Sequence, residues 1–465
     1  MTANGSITTN GSHAVDSESQ DALAFAYQYG YPLFAYGRFT KAHMDTPNNV
    51  LIHQRDLVDA DFTKVVRPNN DTLYSFIFYD LSQSNLCFSV PEIDDRYWAL
   101  SYYDIVGSQT FDKPGNYLLS YDPENLRYGV KKEGNDGTYC GMVNSPTPYG
   151  IFLVRVNVLD EEDKNMVNKI QDSIQVSSVQ RASGALAPEF DRNIFLKVAQ
   201  STTGSAVSEH EQVMRLTAAL AHINPPIIVK DRSWIASTLE KAGVKDGVFT
   251  QPPGTSLPDA VSASASAILA TRLSAGLMKH LGNNWCIGSS LISGNFGSFY
   301  AARHLVAVRG YLQPTADQSI YPSWYPGGNI PAAGGTEYKI EPKKALLFTF
   351  SAKPRLNHSG FWSLTVYGGD QLLVRNSLNR YSLGDRSNLV YPDGTPLKER
   401  ADGKFEILVQ PDDVPPPAKY MNNWLPAPAG GGAVSFTLRV FAPAEDMLNG
   451  TYSYPEVTVM DAVVE

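Results

Sequence analysis

An alternating strand pattern follows a polar turn near the start of the chain. Residues 65–80 read Val-Val-Arg-Pro-Asn-Asn-Asp-Thr-Leu-Tyr-Ser-Phe-Ile-Phe-Tyr-Asp. Side chains of a strand alternate between the two faces of its sheet. One face then carries Thr72, Tyr74, Phe76, Phe78 and Asp80, and the other carries Leu73, Ser75, Ile77 and Tyr79. Pro68 favours an extended Arg67, while Asn and Asp side chains stabilise turns. The stretch therefore predicts a strand of a sheet that is preceded by a polar turn.

Two interpretations of this turn are open. Arg67, Asn69, Asp71 and Tyr74 gather at the end of a strand, where binding chemistry often lies. Alternatively, Arg67 and Asp71 satisfy each other and simply hold the turn together.

The chain is rich in aromatic residues and in turn formers. Its 465 residues include 25 Tyr, 20 Phe, 6 Trp, 36 Gly and 30 Pro, a usage typical of short strands joined by tight turns. Strand patterns run from about residue 50 to 158 and return from about 338, whereas 160–282 shows helical spacing. We predict a mainly β fold with α insertions, in which two domains like β-sandwiches or jelly rolls are bridged by a helical segment.

The same patterns predict the organisation of the chain. We expect a disordered leader at 1–20, an N-terminal β domain at 21–159, a helical middle region at 160–308, a long loop rich in aromatic, Pro and Gly residues at 309–337, and a C-terminal β-sandwich domain at 338–465. The first helix is expected to begin near Asp21 and to stop before Gly30 and Pro32, and the longest helix to run from Pro258 to Leu281.

Charge, cysteine content and hydropathy exclude several classes of protein. The formal net charge of −9 argues against nucleic acid or an anionic membrane as a partner. Three scattered cysteines favour a reducing compartment. The N-terminus lacks the pattern of a signal peptide, and no apolar run reaches membrane-spanning length. We therefore expect a cytoplasmic protein, with a homodimer as one way to cover exposed strand edges.

Cofactor and metal motifs are missing from the sequence. The chain has no glycine-rich phosphate loop, GxSxG, HExxH or CxxC pattern, so we expect no cofactor and no metal. Adjacent residues of Glu209-His210-Glu211 diverge on a helix and cannot chelate one ion. His304 is a candidate acid or base near neutral pH, although such a histidine is more often satisfied in a core or an interface.

The ordered set of motifs resembles a known pair of domains of unknown function, numbered twelve-fifty-four and twelve-fourteen. The N-terminal resemblance rests on residues 66–74, Asp80-Leu81 and Tyr103-Asp104; the C-terminal one rests on residues 360–367, Asn376, Tyr381, residues 423–428 and Arg439. With the intervening helices, the resemblance covers nearly everything beyond residue 21. It implies two β-sandwich units bridged by helices.

The resemblance extends to fungal natural-product enzymes that work without redox cofactors. They are similar to hetero-Diels–Alderases, which dehydrate a tropolone alcohol to a quinone methide and join it to a sesquiterpene olefin. Such chemistry implies an aromatic cavity for an apolar small molecule, an acid for the leaving hydroxyl and donors that polarise a carbonyl.

Candidate residues can be assigned to these roles. The candidate catalytic residues are Arg67, Asp71, Tyr74, Asp104 and His304. The candidate substrate-binding residues are Asn69, Tyr102, Trp285, Trp324, Tyr325, Trp362 and Trp424. Trp285, Trp324, Tyr325 and Trp424 are expected in loops or at sheet edges, with Trp324-Tyr325 as a lid or cavity wall. Trp362 alternates with Leu364 and Val366, which also fits a core position, and Trp424 could instead plug a sheet edge.

Two other classes of function are consistent with the sequence. A hydrolase of a small polar or sugar-like substrate would use Asp71 and Asp104 as a carboxylate pair, separated by about 5–9.5 Å. A non-catalytic binding module would have no enclosed cavity and no perturbed acid.

Overall fold

The computed structural model describes most of the chain. The described residues are 17–63, 66–104, 108–111, 113–126, 128–131, 137–201, 204–274, 276–294, 296–328 and 336–464. They divide into two compact units. The first comprises the described parts of 1–44, 191–268 and 297–308, and the second those of 45–190, 269–296 and 309–465.

The helices and strands occur in the following order. They are α1 (Ser17–Lys41), β1 (Ile52–Gln54), β2 (Thr72–Asp80), β3 (Asn85–Val90), β4 (Trp98–Asp104), β5 (Ser108–Phe111), β6 (Gly115–Tyr121), β7 (Gly129–Lys131), β8 (Gly141–Ser145), β9 (Tyr149–Asn157), α2 (Lys164–Asp172), β10 (Gln175–Val179), α3 (Ile194–Lys197), α4 (Glu209–Leu220), α5 (Arg232–Lys241), β11 (Val244–Lys245), β12 (Val248–Phe249), α6 (Leu257–Leu273), β13 (Met278–His280), β14 (Trp285–Gly288), α7 (Tyr300–Arg309), β15 (Ser319–Ile320), β16 (Ser323–Trp324), β17 (Tyr338–Ile340), β18 (Lys344–Phe350), β19 (Leu356–Gly368), β20 (Ser382–Gly384), β21 (Phe405–Pro411), β22 (Trp424–Ala427), β23 (Gly432–Pro443), α8 (Glu445–Asn449) and β24 (Glu456–Asp461).

The first unit is helical and contains α1. This helix begins at Ser17, inside the predicted leader, and continues through Gly30 and Pro32, where we expected it to end. Residues 1–16 of that leader lie outside the described residues. Gly30 is needed for close packing, because a Cβ there would lie 1.6 Å from the Thr217 hydroxyl on α4. Burial on both sides of Pro32, including Tyr29 and Leu33, sustains the helix against its intrinsic propensity.

The N-terminal sandwich belongs to the second unit. Sheet 1 has the order β1-β2-β9-β4-β5, and sheet 2 the order β10-β3-β6-β8-β7. Their inner faces enclose a core that includes Leu73, Ile77, Phe152 and Val154. All nine residues of β9 are buried, so both faces of sheet 1 are covered at this strand.

The C-terminal sandwich lies in the same unit. Sheet 3 has the order β15-β23-β19-β20, with β17 also pairing β23, and sheet 4 has the order β22-β21-β18-β24. Trp362, Leu364 and Val366 alternate along β19 and face the core between these sheets. The prediction of a mainly β fold with two sandwiches and intervening helices is confirmed.

The region between the sandwiches differs in detail from the sequence-based expectation. The helix predicted to end at Leu281 ends at Leu273, and β13 and β14 follow it. The segment 309–337, predicted as a loop, contains the short strands β15 and β16; its residues 329–335 lie outside the described residues. Across the described chain, no helix combines the length and the apolar character needed to cross a bilayer.

Candidate functional site

Asp71 lies at the N-terminal end of β2 and contacts the C-terminal sandwich. Its carboxylate is fully buried and accepts hydrogen bonds from the Ser363 hydroxyl at 2.6 Å and the Ser382 hydroxyl at 3.0 Å. The Arg386 Nε donates to it at 3.0 Å, while the same guanidinium bonds the Asn70 carbonyl at 2.8 Å. A buried carboxylate with this set of donors holds two parts of the fold together.

Arg67 does not pair with Asp71, which corrects one sequence-based interpretation. Its guanidinium donates to the Gln371 side chain at 2.7 Å, the Thr437 hydroxyl at 2.7 Å and the Phe436 carbonyl at 2.9 Å. Its backbone is also not extended, because φ is +50°, in the left-handed region. The tertiary contacts of the side chain hold a conformation that Pro68 disfavours locally.

Arg439 also joins the C-terminal sandwich to the turn that precedes β2. On β23, its guanidinium donates to the Thr365 hydroxyl at 2.7 Å, to the Arg67 carbonyl at 3.0 Å and to the Pro68 carbonyl at 3.2 Å. Burial lowers the pKa of Arg439, but the nearby Tyr367 and Asp71 outweigh this effect and raise the pKa above its ordinary value. We call Arg67, Asp71, Tyr367, Arg386 and Arg439 the domain clamp.

A second polar group lies on the outer face of sheet 1, around Arg155. Arg155 is 4% exposed and pairs across the strands with Tyr74 on β2 and Ala99 on β4. Its guanidinium lies 5.6 Å from the Tyr74 ring centroid and 6.0 Å from that of Phe441 on β23. Its Nη2 donates to the Tyr103 hydroxyl at 3.1 Å. We call Arg155, Tyr74, Tyr97, Tyr103, Tyr321 and Phe441 the Arg155 cluster.

Arg155 has no carboxylate partner among the described residues. Its Nε is buried without a hydrogen-bond partner there, although buried charges are normally paired. Burial lowers the pKa of Arg155, but the surrounding tyrosines, led by Tyr103 and Tyr74, raise it to a net value above the ordinary one. The guanidinium therefore stays charged in a dry, aromatic setting.

Tyr97 and Tyr103 remain protonated at neutral pH. Burial raises the pKa of Tyr103 and that of Tyr97, although the charge of Arg155 acts in the opposite direction on both. The Tyr103 hydroxyl donates to the Leu312 carbonyl at 2.8 Å, and the Tyr97 hydroxyl makes a longer contact of 3.4 Å with the Gln318 carbonyl. Residues 312–321 thus cover this part of sheet 1.

Only some of the predicted site residues come together here. Asn69 donates to the hydroxyl of Tyr74 at 3.2 Å, so Asn69 lies beside the Arg155 cluster and Tyr74 belongs to it. Tyr102 points the other way, into the core of the N-terminal sandwich, and donates to Ser145. The backbone of Asp104 ends β4, whereas its side chain lies outside the described residues.

The predicted loop and edge aromatics are buried in strands or packed beside them. Trp285 on β14, Trp324 on β16 and Trp362 on β19 belong to the C-terminal core. Trp424 on β22 is 1% exposed and donates to the Gln410 carbonyl, and Tyr325 is 3% exposed. Trp324 and Trp424 lie on the edge strands β16 and β22, as the expected edge positions allow, whereas Trp285 lies on the central strand β14 of its sheet and its expected position is corrected. All of these rings are buried rather than open to a cavity.

His304 belongs to the first unit, on α7. It is 3% exposed, its Nδ1 lies 3.4 Å from the Ser264 hydroxyl, and its ring centroid lies 4.5 Å from that of Tyr31. Burial lowers its pKa to about 4. It is neutral at physiological pH, which fits the structural interpretation.

The sequence carried a signal for the residues that we missed. Arg155 interrupts an otherwise apolar strand, and Arg439 interrupts an alternating one. Buried strands rarely contain a charge without a partner, but the partner strand could not be identified from the sequence. Among the described residues, no three His, Cys, Asp or Glu side chains are grouped closely enough to hold a metal ion.

Comparison with known families agrees with this two-part arrangement. Residues 48–178 match the family model described as Protein of unknown function (DUF1254), and residues 331–445 match Protein of unknown function (DUF1214). The chain carries both paired domains. The DUF1254 domain supplies Arg155, Tyr74, Tyr97 and Tyr103, and the DUF1214 domain supplies Phe441, so the Arg155 cluster draws on both.

A solved structure shows the same fold. The VPA0106 protein from Vibrio parahaemolyticus is 18% identical, with a TM-score of 0.60 over 95% of this chain and 100% of its own. An uncharacterized protein from Burkholderia cenocepacia is 11% identical, with a TM-score of 0.41 over 96% of this chain and 94% of its own. Among curated proteins, none matches the sequence.

Proposed function

We propose that this DUF1254/DUF1214 protein is a cofactor-independent lyase and pericyclase of fungal natural-product biosynthesis. It dehydrates a phenol- or tropolone-type alcohol to a quinone methide and directs its stereoselective hetero-Diels–Alder addition to an apolar olefin. The observation that carries the proposal is the Arg155 guanidinium, which is buried among aromatic rings and has no carboxylate partner in the described chain.

Arg155 suits the dehydration step. In this step the ring hydroxyl loses its proton, the benzylic C–O bond breaks, and the leaving hydroxide takes up that proton, so one water is released and the ring oxygen becomes a carbonyl. Negative charge passes through that oxygen, and a preorganised guanidinium at a dry site stabilises it more than water does. Loss of one such donor typically costs about 10²–10³ in rate.

The rings of the cluster suit the addition step. Phe441 stacks on Phe361 with centroids 4.4 Å apart, and Tyr97 lies 5.1 Å from Phe441. These buried rings make the surroundings of the charge apolar, as a site for two flat, apolar partners requires. Positioning of this kind can lower a bimolecular barrier by several kcal/mol, up to about 7–11 in favourable cases.

The hydrolase alternative has less support. A carboxylate pair needs an acid that can exchange protons with substrate, whereas both oxygens of Asp71 are occupied by Ser363, Ser382 and Arg386. The Arg155 cluster, in contrast, presents donors beside rings.

The proposal is tested by incubating purified protein with a tropolone-type benzylic alcohol and a sesquiterpene olefin, without nucleotide or added metal. We expect one stereoisomer of an adduct that has lost water, detected by chiral chromatography and mass spectrometry. Arg155→Lys should lower the rate at least about 10²-fold. Lysine keeps the positive charge, but it lacks the planar set of guanidinium N–H donors. The matched control, Arg375→Lys, changes a 70% exposed side chain and should leave the rate unaltered. Formation of a racemic adduct at the rate seen in buffer would refute the proposal.

A further inference from the structure

The Arg155 cluster holds more hydrogen-bond donors than acceptors. An arginine has five N–H donors, and in the described structure Arg155 uses one hydrogen bond, to Tyr103. The Tyr74 hydroxyl accepts from Asn69, and the Tyr321 hydroxyl accepts from Ser319 at 3.0 Å. Each of these two hydroxyls therefore keeps its own proton available, with no acceptor for it among the described residues.

The local carboxylates do not balance this excess of donors. Asp71 is committed to the domain clamp. Asp317, whose charge acts on Tyr97, is exposed and accepts from the Gln318 side chain. Tyr74 and Tyr321 are half-buried, whereas Arg155 is 4% exposed. The hydroxyl donors of Tyr74 and Tyr321 are therefore partly accessible to solvent, whereas the guanidinium donors of Arg155 are buried.

From this arrangement we infer that the cluster binds a planar conjugated oxyanion, such as an enolate or an unsaturated carboxylate. The anionic oxygen accepts from Arg155 and from the hydroxyls of Tyr74 and Tyr321, and the conjugated part lies against Phe441. The Arg155 guanidinium lies 6.0 Å and the Tyr321 ring centroid 6.5 Å from the Phe441 ring centroid, so both donors flank the same ring. The inference rests on the site of the proposed function, but it concerns binding and needs no turnover.

The neutral hydroxyls sharpen the specificity. A hydroxyl can donate to an anion or to a neutral carbonyl, whereas a buried guanidinium gains most from a charged partner. A ligand that keeps the shape but loses the charge should therefore bind much more weakly. A small inorganic anion keeps the charge but gains nothing from the rings.

The test measures calorimetric binding of cinnamate, of the neutral cinnamamide and of inorganic phosphate to the full chain. We expect cinnamate to bind at least tenfold more tightly than either of the others. Arg155→Gln should abolish the preference for cinnamate over cinnamamide, and Arg375→Gln should preserve it. Because Arg155→Gln removes a buried group, Tyr74→Phe and Tyr321→Phe provide a second test that leaves the strands intact. Each should weaken cinnamate binding about fivefold while the thermal midpoint stays unchanged.

The outcomes separate this inference from the proposed function. Equal binding of cinnamate and cinnamamide, or unchanged cinnamate binding by Arg155→Gln and by both Tyr variants, overturns the oxyanion site. Tight phosphate binding overturns the role of the rings. Arg155-dependent cinnamate binding without any cycloaddition supports the inference and refutes the proposed reaction. Turnover without a preference for cinnamate over cinnamamide supports the proposed reaction and overturns the oxyanion site.

Discussion

Asp71 is the residue on which the domain clamp depends most. Replacing it with Asn removes the negative charge that pairs with Arg386. The pair is shielded from water, because the side chain of Arg386 is 16% exposed and that of Asp71 is 0% exposed. Removal of one partner from a buried ion pair costs about 3–5 kcal/mol, so we expect the free energy of unfolding of Asp71→Asn to fall by that amount in urea titrations. Asp61→Asn, at a pair exposed by 70% and 73%, should change it by less than about 1 kcal/mol. Equal effects of both variants would contradict a clamp role for Asp71.

His304 gives the first unit a predictable dependence on pH. Its pKa is lowered by burial from 6.5 to about 4, so the unfolded chain binds the proton more readily. The contribution of the neutral, buried His304 to the free energy of unfolding is therefore fully present above pH 6.5. It is lost as the pH falls from 6.5 towards 4, and the free energy of unfolding decreases by on the order of 3 kcal/mol.

The neighbourhood of His304 defines the control for this prediction. Ser264 and Tyr31 contact its ring, and Tyr27 lies 5.8 Å away between it and His210. Denaturation midpoints at pH 7, 5.5 and 4 should fall less steeply for His304→Gln than for the unaltered protein. Exposed His222→Gln should behave like the unaltered protein. A parallel decline for His304→Gln would mean that other groups cause the pH dependence.

At the level of elements, β9 requires glycine at position 150. A Cβ there would lie 2.3 Å from both the Tyr103 carbonyl on β4 and the Tyr79 hydroxyl on β2. Gly150→Ala should therefore force β4 away from β9 and cost about 1–3 kcal/mol, as overpacking of a core does. Gly327→Ala, which meets no atom within 4 Å, provides the control. Thermal unfolding compares the two, and an equal midpoint for both would show that sheet 1 adjusts freely.

Elements were predictable where local pattern and tertiary burial agree. The alternation in 72–80 matches β2, and the alternation around Trp362 matches β19, because one face of each strand lies against a sandwich core. Prediction failed at Pro32 and at Arg67, where packing overrides a local preference. The candidate site was predictable only in part. Asn69 and Tyr74 are close in sequence, whereas Arg155 and Phe441 meet through pairings between distant strands that a single sequence does not specify.

For the molecule as a whole, Arg439 is expected to make the two sandwiches of the second unit unfold together. Its bonds to the Arg67 and Pro68 carbonyls join β23 to the turn before β2, and hydrogen bonds of charged groups contribute about 1.5–3 kcal/mol each. Arg439→Lys concentrates three donors on one nitrogen and cannot reach all of these acceptors. We therefore expect hydrogen exchange in urea to show one shared transition for sheets 1 and 3 in the unaltered protein, and two in the variant.

A matched variant separates loss of this coupling from general destabilisation. Arg380 bonds the Met421 and Trp424 carbonyls, so its contacts stay within the C-terminal sandwich. Arg380→Lys should lower the urea midpoint while sheets 1 and 3 still lose protection together. If Arg439→Lys also retains a single transition, the clamp does not set cooperativity. The coupling would then come from the aromatic contacts of Tyr97 with Phe361 and Phe441. Because the Phe441 ring also lies 6.0 Å from the Arg155 guanidinium, that outcome would place the coupling between the sandwiches at the Arg155 cluster.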